Sequence, residues 1–387
     1  MNRIGIFMAG RLASLFLVLA VSSGLCAGTL GKGEDKKAKS VELTADGPYV
    51  IHQPDGSIRV IRVDGVGSVC DTVFRTLPED FCLHVADHRD SIAFDVSLHG
   101  ISRPQWKYPR PERVFVMSDP HGQLDCVVSL LQGNGVIDEG LHWSFGANHL
   151  VVIGDVFDRG EDVPQIFWLF YKLEEEAVQA GGRLSLLLGN HETLVLAGDL
   201  RYVKPKYKEL ARQLGMDYER LFGLDTELGR WLATRNTVEV IGPDLYVHAG
   251  LGRAFYDRNL DLPRVNEEMS RALFLKKAQR KELSELTAFL YGNEGPVWYR
   301  GLVRTAEKYK PLAADSLQLL LQRYGVERII VGHTIFEDVS TFYGQRVIGV
   351  NVDNEDNRRE GRGRGLLIDG TKYLVVGDKG VLRPCLD

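Results

Sequence analysis

Seven residues stand where this 387-residue chain turns abruptly from apolar to polar: Asp119, His121, Asp155, Asn190, His191, His248 and His333. They close or follow five apolar runs, in "RVFVMSDPH", "HLVVIGDVFDR", "LSLLLGNHE", "DLYVHAG" and "RIIVGHT". Neither aspartate nor histidine suits a core, so the repeated interruption calls for a chemical reason. Imidazole nitrogens mixed with carboxylate and carboxamide oxygens, and no cysteine, suit manganese, iron or zinc better than calcium or a structural zinc. Four of the ten histidines belong to this set, which separate packing roles do not explain.

For such residues to share a metal they must converge, and the elements between them say how. The apolar runs read as strands, and "LDCVVSLLQ" and "VPQIFWLFYKLEEEAVQA" between the first three read as helices, giving the order β-α-β-α-β. In open α/β sheets the carboxyl ends of the strands face one crevice, where ligands bind. After His333, "RVIGVNVD", "GLLIDG" and "KYLVVGD" read as closing strands, which predicts two packed mixed sheets flanked by helices.

Taken in order, "SDPHGQ", "GDVFDRG", "GNHE", "HAG" and "GHT" resemble the calcineurin-like metallophosphoesterases, and the Asp-Arg-Gly ending of the second motif resembles their phosphoprotein phosphatase branch. "DGPYV", "GDLRYV" and "WYRG" are similar to motifs of the Shewanella-like protein phosphatases, over about Asp46 to Asp369. The resemblance implies the α/β metallophosphoesterase fold, a four-layer α/β/β/α sandwich of two mixed sheets. It also implies two divalent metal ions, manganese before iron or zinc. Asp119, His121 and Asp155 would hold one, and Asp155 would bridge to a second held by Asn190, His248 and His333. Such a pair lowers the pKa of a shared water and clamps phosphoryl oxygens. Two carboxylates leave this site positive, and the neutral amide of Asn190 preserves that excess for a phosphate dianion.

By the same resemblance His191 protonates the leaving oxygen, with Asp158 holding its other ring nitrogen, and Arg159 and Arg300 grip the phosphate. Ser118 and Ala249 stand where many relatives have glycine, and neither removes a ligand side chain. The implied substrate is a phosphorylated protein or peptide, with phosphotyrosine accepted alongside phosphoserine and phosphothreonine. Ala249 and the aromatics Tyr202, Tyr207, Tyr218, Phe222 and Trp231 are expected to wall the cleft for a phosphotyrosine ring. A dinucleoside polyphosphate hydrolase or other nucleotide phosphoesterase is the alternative on this fold, and a binder without catalysis is the third class.

The rest of the chain sets the frame. A net charge of -5 gives no basic balance for nucleic-acid backbone contacts, so no nucleic-acid partner is expected. Arg3 and Arg11 before "LASLFLVLAV", with "CAG" after it, read as a secretory signal over 1–27, with an uncleaved membrane anchor as the competitor. The mature protein is expected to be secreted or periplasmic, with no transmembrane segment. Residues 28–41 read as a linker, 42–110 as a β-rich segment with a hairpin at Asp55-Gly56, and 111–387 as the catalytic domain. The proline-bearing "RPQWKYPRPE" marks the boundary, and helical insertions are expected near 200–235 and 265–292. "RREGRGRG" reads as a turn between strands, and Cys70 and Cys82 as a disulfide pair.

Overall fold

Alternation along the strands accounts for the layers. In Arg113–Met117, Phe115 and Met117 join one apolar cluster while Val114 and Val116 join another, as a pleat with side chains on opposite faces demands. The same split recurs in His149–Val152, where Leu150 and Val152 oppose Val151, and in Arg328–Val331, where Ile329 and Val331 oppose Ile330. Each strand is thus buried on both faces, which is why these runs lack the usual polar alternation.

The computed structural model describes residues 41–352 and 363–386, and the expected signal, most of the linker and most of the Arg/Gly run lie outside them. The strands are β1 (Asp46–His52), β2 (Ile58–Val63), β3 (Val69–Phe74), β4 (Leu83–Ala86), β5 (Ala93–Val96), β6 (Lys107–Tyr108), β7 (Arg113–Met117), β8 (His149–Val152) and β9 (Arg183–Leu186). They continue as β10 (Val238–Ile241), β11 (Asp244–Val247), β12 (Arg328–Val331), β13 (Ser340–Phe342), β14 (Val347–Gly349), β15 (Gly365–Asp369), β16 (Lys372–Gly377) and β17 (Gly380–Pro384). One six-stranded sheet has the order β13-β14-β12-β11-β10-β6, and the other β17-β16-β15-β7-β8-β9. Both mix parallel and antiparallel pairs. The cluster between them contains Val116, Val151, Tyr246, Ile330 and Val375, so the expected pair of packed mixed sheets is present.

The helices are α1 (Leu124–Gly133), α2 (Val163–Gln179), α3 (Asn190–Val195), α4 (Pro205–Leu214), α5 (Glu227–Leu232), α6 (Arg253–Asp257), α7 (Leu262–Ala272), α8 (Lys277–Leu283), α9 (Glu285–Leu290) and α10 (Ala314–Tyr324). Residues of α1 and α2 cover one outer face, and residues of α6, α7, α9 and α10 cover the other. Among the described residues no helix is long and apolar enough to cross a membrane.

Two expectations, the aromatic wall and the disulfide, are corrected, and one strand is added. The stretch "RPQWKYPRPE" supplies β6, which runs parallel to β10, with Val240 N donating to the Trp106 carbonyl at 2.8 Å and Gly242 N to that of Tyr108 at 3.0 Å. Its prolines flank this edge strand instead of interrupting it, a position proline tolerates. Residues 42–110 therefore share one unit with the catalytic region, and Tyr49, Val50 and Ile61 pack in the same cluster as Trp168.

The aromatic wall is also absent. Tyr207, Tyr218, Phe222 and Trp231 are at most 2% exposed and form that cluster's edge-to-face and tilted ring contacts, so the first insertion covers the sheet. Ala249 is buried as well, and only Tyr202 of the proposed wall reaches solvent, at 49% exposure.

Cys70 and Cys82 are free. Cys70 lies on β3, opposite Arg62 in the sheet β1-β2-β3, whereas Cys82 leads into the separate β4–β5 hairpin.

Candidate metal centre and active site

The carboxyl ends of β7, β8, β11 and β12, with the start of α3, bring all the predicted ligands to one end of the sandwich. Their loops are strained. Asp119, His121, Asp155, Asp158, Arg159 and His333 have positive φ, between 43° and 73°, a conformation that costs non-glycine residues energy and clusters at functional sites. Tight approach of backbone explains the preceding glycines: a Cβ on Gly189 would lie 2.2 Å from Asp155 Oδ1, and one on Gly332 2.6 Å from Asp119 Oδ2.

Asp155 is the hub. Two triads converge on it, His121–Asp155–His191 and Asp155–His248–His333, each with ligand atoms within 4.8 Å of one another. Its Oδ2 lies 3.1 Å from His248 Nε2 and 3.9 Å from the Nε2 atoms of His121 and His191. Asn190 joins the second triad through Oδ1, 3.0 Å from His248 Nε2. Asp119 stands outside both triads, its Oδ2 engaged by the Ser118 hydroxyl and, at 3.0 Å, by the backbone N–H of His333.

Ring orientation is fixed from behind. His121 Nδ1 donates to the Phe157 carbonyl at 2.8 Å and His248 Nδ1 to that of Ile153 at 2.7 Å, which leaves each Nε2 facing inward. His333 Nε2 is buried without a hydrogen-bond partner, a cost that a cation would remove.

Charge leads to the same conclusion. Burial pushes His121 down to about 3 and His333 well below the imidazole range, so both are neutral donors near pH 7. Burial also opposes ionisation of Asp155, yet His248, His191 and His121 hold it well below the carboxylate range. For His248 burial is outweighed by Asp155, which raises it to about 9. The carboxylate thus draws a proton onto its neighbour, and divalent cations can take over that neutralising role. The donor set and the orphaned nitrogen fit a divalent metal centre.

Beside the hub, His191 Nδ1 is bonded to Asp158 Oδ2 at 2.5 Å, and both side chains are buried. Burial lowers the imidazole, but Asp155 and the Asp158 bond raise it further, for a net upward shift. This keeps a proton available on the ring. Arg159 is exposed at the mouth, with Tyr202 nearby: its backbone N–H donates to the Tyr202 carbonyl at 3.3 Å. Arg300 is half-buried and its Nη1 reaches the His333 carbonyl at 3.3 Å and Thr334 Oγ1 at 3.0 Å. The Tyr202 ring sits 5.3 Å from that of His191, and the Trp298 ring lies edge-on to His333 at 5.9 Å.

One residue escaped the sequence reading. Glu192 is fully buried and accepts from the backbone N–H groups of Asp155 (2.8 Å), Val156 (2.8 Å), Phe157 (3.3 Å) and Gly189 (2.7 Å). It ties the β8 loop to the turn before α3. The signal was present in "GNHE", where an acidic residue follows two ligand candidates, but a carboxylate one turn into a helix reads equally as a capping residue.

The calcineurin-like phosphoesterase family model matches residues 112–336. An uncharacterised protein of Schizosaccharomyces pombe (strain 972) is 30% identical over 284 residues, 72% of this chain and 78% of that one. Shewanella-like protein phosphatase 2 of Arabidopsis thaliana is 29% identical over 294 residues, 62% of this chain and 73% of that one. The solved cold-active protein-tyrosine phosphatase of a psychrophilic Shewanella species is 31% identical, with a TM-score of 0.79 over 88% of this chain and 99% of that one.

Proposed function

The chain belongs to the calcineurin-like phosphoesterases, and from that premise we propose that it is a metal-dependent phosphoprotein phosphatase that accepts phosphotyrosine. The observation that carries the reading is the pair of triads sharing Asp155 with His191 bonded to Asp158 beside them. Asp119, His121 and Asp155 are assigned to one metal, and Asp155, Asn190, His248 and His333 to the other. Manganese is favoured by the mixed nitrogen and oxygen donors. When bound, two divalent ions supply an activated water and neutralise charge on the phosphoryl oxygens.

The chain's own residues do the rest. Arg159 and Arg300 orient the phosphoryl group, since planar guanidinium forks match its oxygens and stay charged. His191 holds a proton on Nε2 for the leaving oxygen, and Asp158 fixes the ring and stabilises its protonated form. Glu192 anchors the loop that carries Asp155.

Phosphotyrosine acceptance is supported by Tyr202, the exposed ring beside His191, and by the tyrosine phosphatase among the similar structures. An aromatic pair contributes about 0.5–1.5 kcal/mol beyond area burial, up to roughly tenfold in selectivity. Matched peptides differing only in the phosphorylated residue, assayed with Mn²⁺ beside a nucleotide panel, test both levels. Phosphotyrosine within tenfold of the better of phosphoserine and phosphothreonine is expected. Nucleotide turnover exceeding every phosphopeptide would overturn the protein-phosphatase reading.

A further inference from the structure

A cavity of about 400 Å³ opens beside the metal centre, between α3 with its following loop on one side and α8 and α9 on the other. Four of its lining side chains are cationic, Arg201, Lys277, Arg280 and Lys281, against one carboxylate, Asp199. In a chain of net charge -5 this concentration is local. Asp199 is already engaged by Arg201, Nε to Oδ1 at 2.8 Å and Nη2 to Oδ2 at 2.6 Å. Among the described residues no carboxylate is within ion-pair distance of Lys277, Arg280 or Lys281.

Arg280 makes this a built feature of the fold. Its side chain is only 6% exposed, its guanidinium donates to the carbonyls of Ala272 (3.0 Å), Thr193 (2.9 Å) and Leu273, and it lies over the Tyr291 ring at 3.9 Å. Carbonyl dipoles satisfy its donors but leave its charge uncompensated, and a buried charge without a counter-ion is costly. The bond to Thr193 also locks α8 onto the helix that begins with Asn190 and His191. Trp298 lines this cavity and touches His333 edge-on, so the cationic pocket and the phosphoryl site share a wall.

We propose that this cavity is a subsite for an acidic side chain flanking the phosphorylated residue, so that the enzyme selects phosphopeptides with glutamate or aspartate close to the phosphate. The proposal rests on the phosphoprotein reading above. Trp298 separates the two anions by about one ring, so the acidic residue is one to three positions away, given about 3.3–3.6 Å per extended residue. Lys277 and Lys281, one turn apart on α8, supply mobile charge at the rim, and Arg280 supplies a fixed positive floor.

The test is a ratio, so each enzyme serves as its own control. Three phosphotyrosine peptides carrying glutamate, glutamine or lysine at the flanking positions are compared by kcat/KM with the manganese-loaded full chain. The glutamate peptide should exceed the glutamine peptide by about five- to tenfold at low ionic strength, the scale of a few solvent-exposed charge pairs. The ratio should shrink at high salt, and the lysine peptide should be the poorest. Lys277→Gln with Lys281→Gln should bring the ratio below about twofold, while Lys277→Arg with Lys281→Arg keeps it. A wild-type ratio of one, or one that the glutamine pair does not move, overturns the subsite. Failure to hydrolyse any of the three peptides or their phosphoserine and phosphothreonine counterparts, with an aryl phosphate still turned over, overturns the phosphoprotein reading instead.

Discussion

Buried polar groups occur in two kinds of place in this sandwich, and the contrast separates structure from chemistry. Away from the metal centre two buried carboxylates bridge the sheets and are bonded within the protein. Asp244 on β11 accepts at both oxygens from the Tyr373 hydroxyl on β16 (2.9 and 2.7 Å), and Glu239 on β10 accepts from Ser185 (2.5 Å) and Asn236 (2.9 Å). At the metal centre Asp158 Oδ1 and His333 Nε2 have no partner, six residues hold positive φ, and one aspartate gathers four histidines. The bridges are arranged to be stable as they stand. The centre is arranged for something the chain does not itself supply.

If the contrast is real, substitutions at the centre cost activity and those at the bridges cost stability. The largest effect is expected for Asp155→Asn, which removes the carboxylate common to both triads. Metal content by elemental analysis should fall, and kcat/KM on an aryl phosphate should drop more than about 10³-fold, beyond the 10–100-fold typical of an outer partner. Retained metal and rate would dissolve the distinction. Next is His191→Ala: kcat on an alkyl phosphate should fall about 10²–10⁴-fold while metal content stays near normal, since the proton donor is lost but the ligands are not. Glu192→Gln lies between the two classes. It weakens four backbone contacts behind the loops, so metal affinity by competition with a chelator should fall about 10–100-fold.

The bridges give the smaller effects. Burial raises Glu239 to about 7, against the bonds from Ser185 and Asn236 that lower it. A carboxyl with a raised folded pKa favours the folded state below its unfolded pKa, and that contribution is lost as pH rises to the folded one. Stability should therefore fall from about pH 4.5 to pH 7 by about 3 kcal/mol through this group alone. Glu239→Gln should flatten that part of the slope in urea unfolding with kcat within twofold. Tyr373→Phe is expected to cost about 1–2 kcal/mol, by leaving Asp244 unsatisfied, and nothing in rate.

The sequence made the centre legible because its residues are out of place: a strand that ends on "SDPH" or "GNHE" violates the core pattern visibly. All ten residues named for catalysis or metal lie at that end of the sandwich, although the triad around His121 gathers His191 and not Asp119. What stayed hidden was whatever agrees with an ordinary pattern. Tyr207, Tyr218, Phe222 and Trp231 read equally as wall or core, because periodicity shows that a face is apolar and not what covers it. Two residues cannot display the alternation that identifies a strand, so Lys107–Tyr108 passed as a spacer between prolines. The Cys70–Cys82 pairing rested on closeness in sequence, which strand pairing with β2 overrides.

That two-residue strand has a consequence for any attempt to shorten the protein. β10 is otherwise the outermost strand of its sheet, and Lys107–Tyr108 occupies its unpaired edge. A fragment begun at residue 111 would keep every metal-centre residue yet bare a run of free N–H and C=O groups on "VEVI", a ready template for pairing with a second molecule. Such a fragment should pair with a second copy along that seam, so the proline-flanked dipeptide acts as the sheet's selvedge, a finished border that keeps the weave from catching on its neighbours.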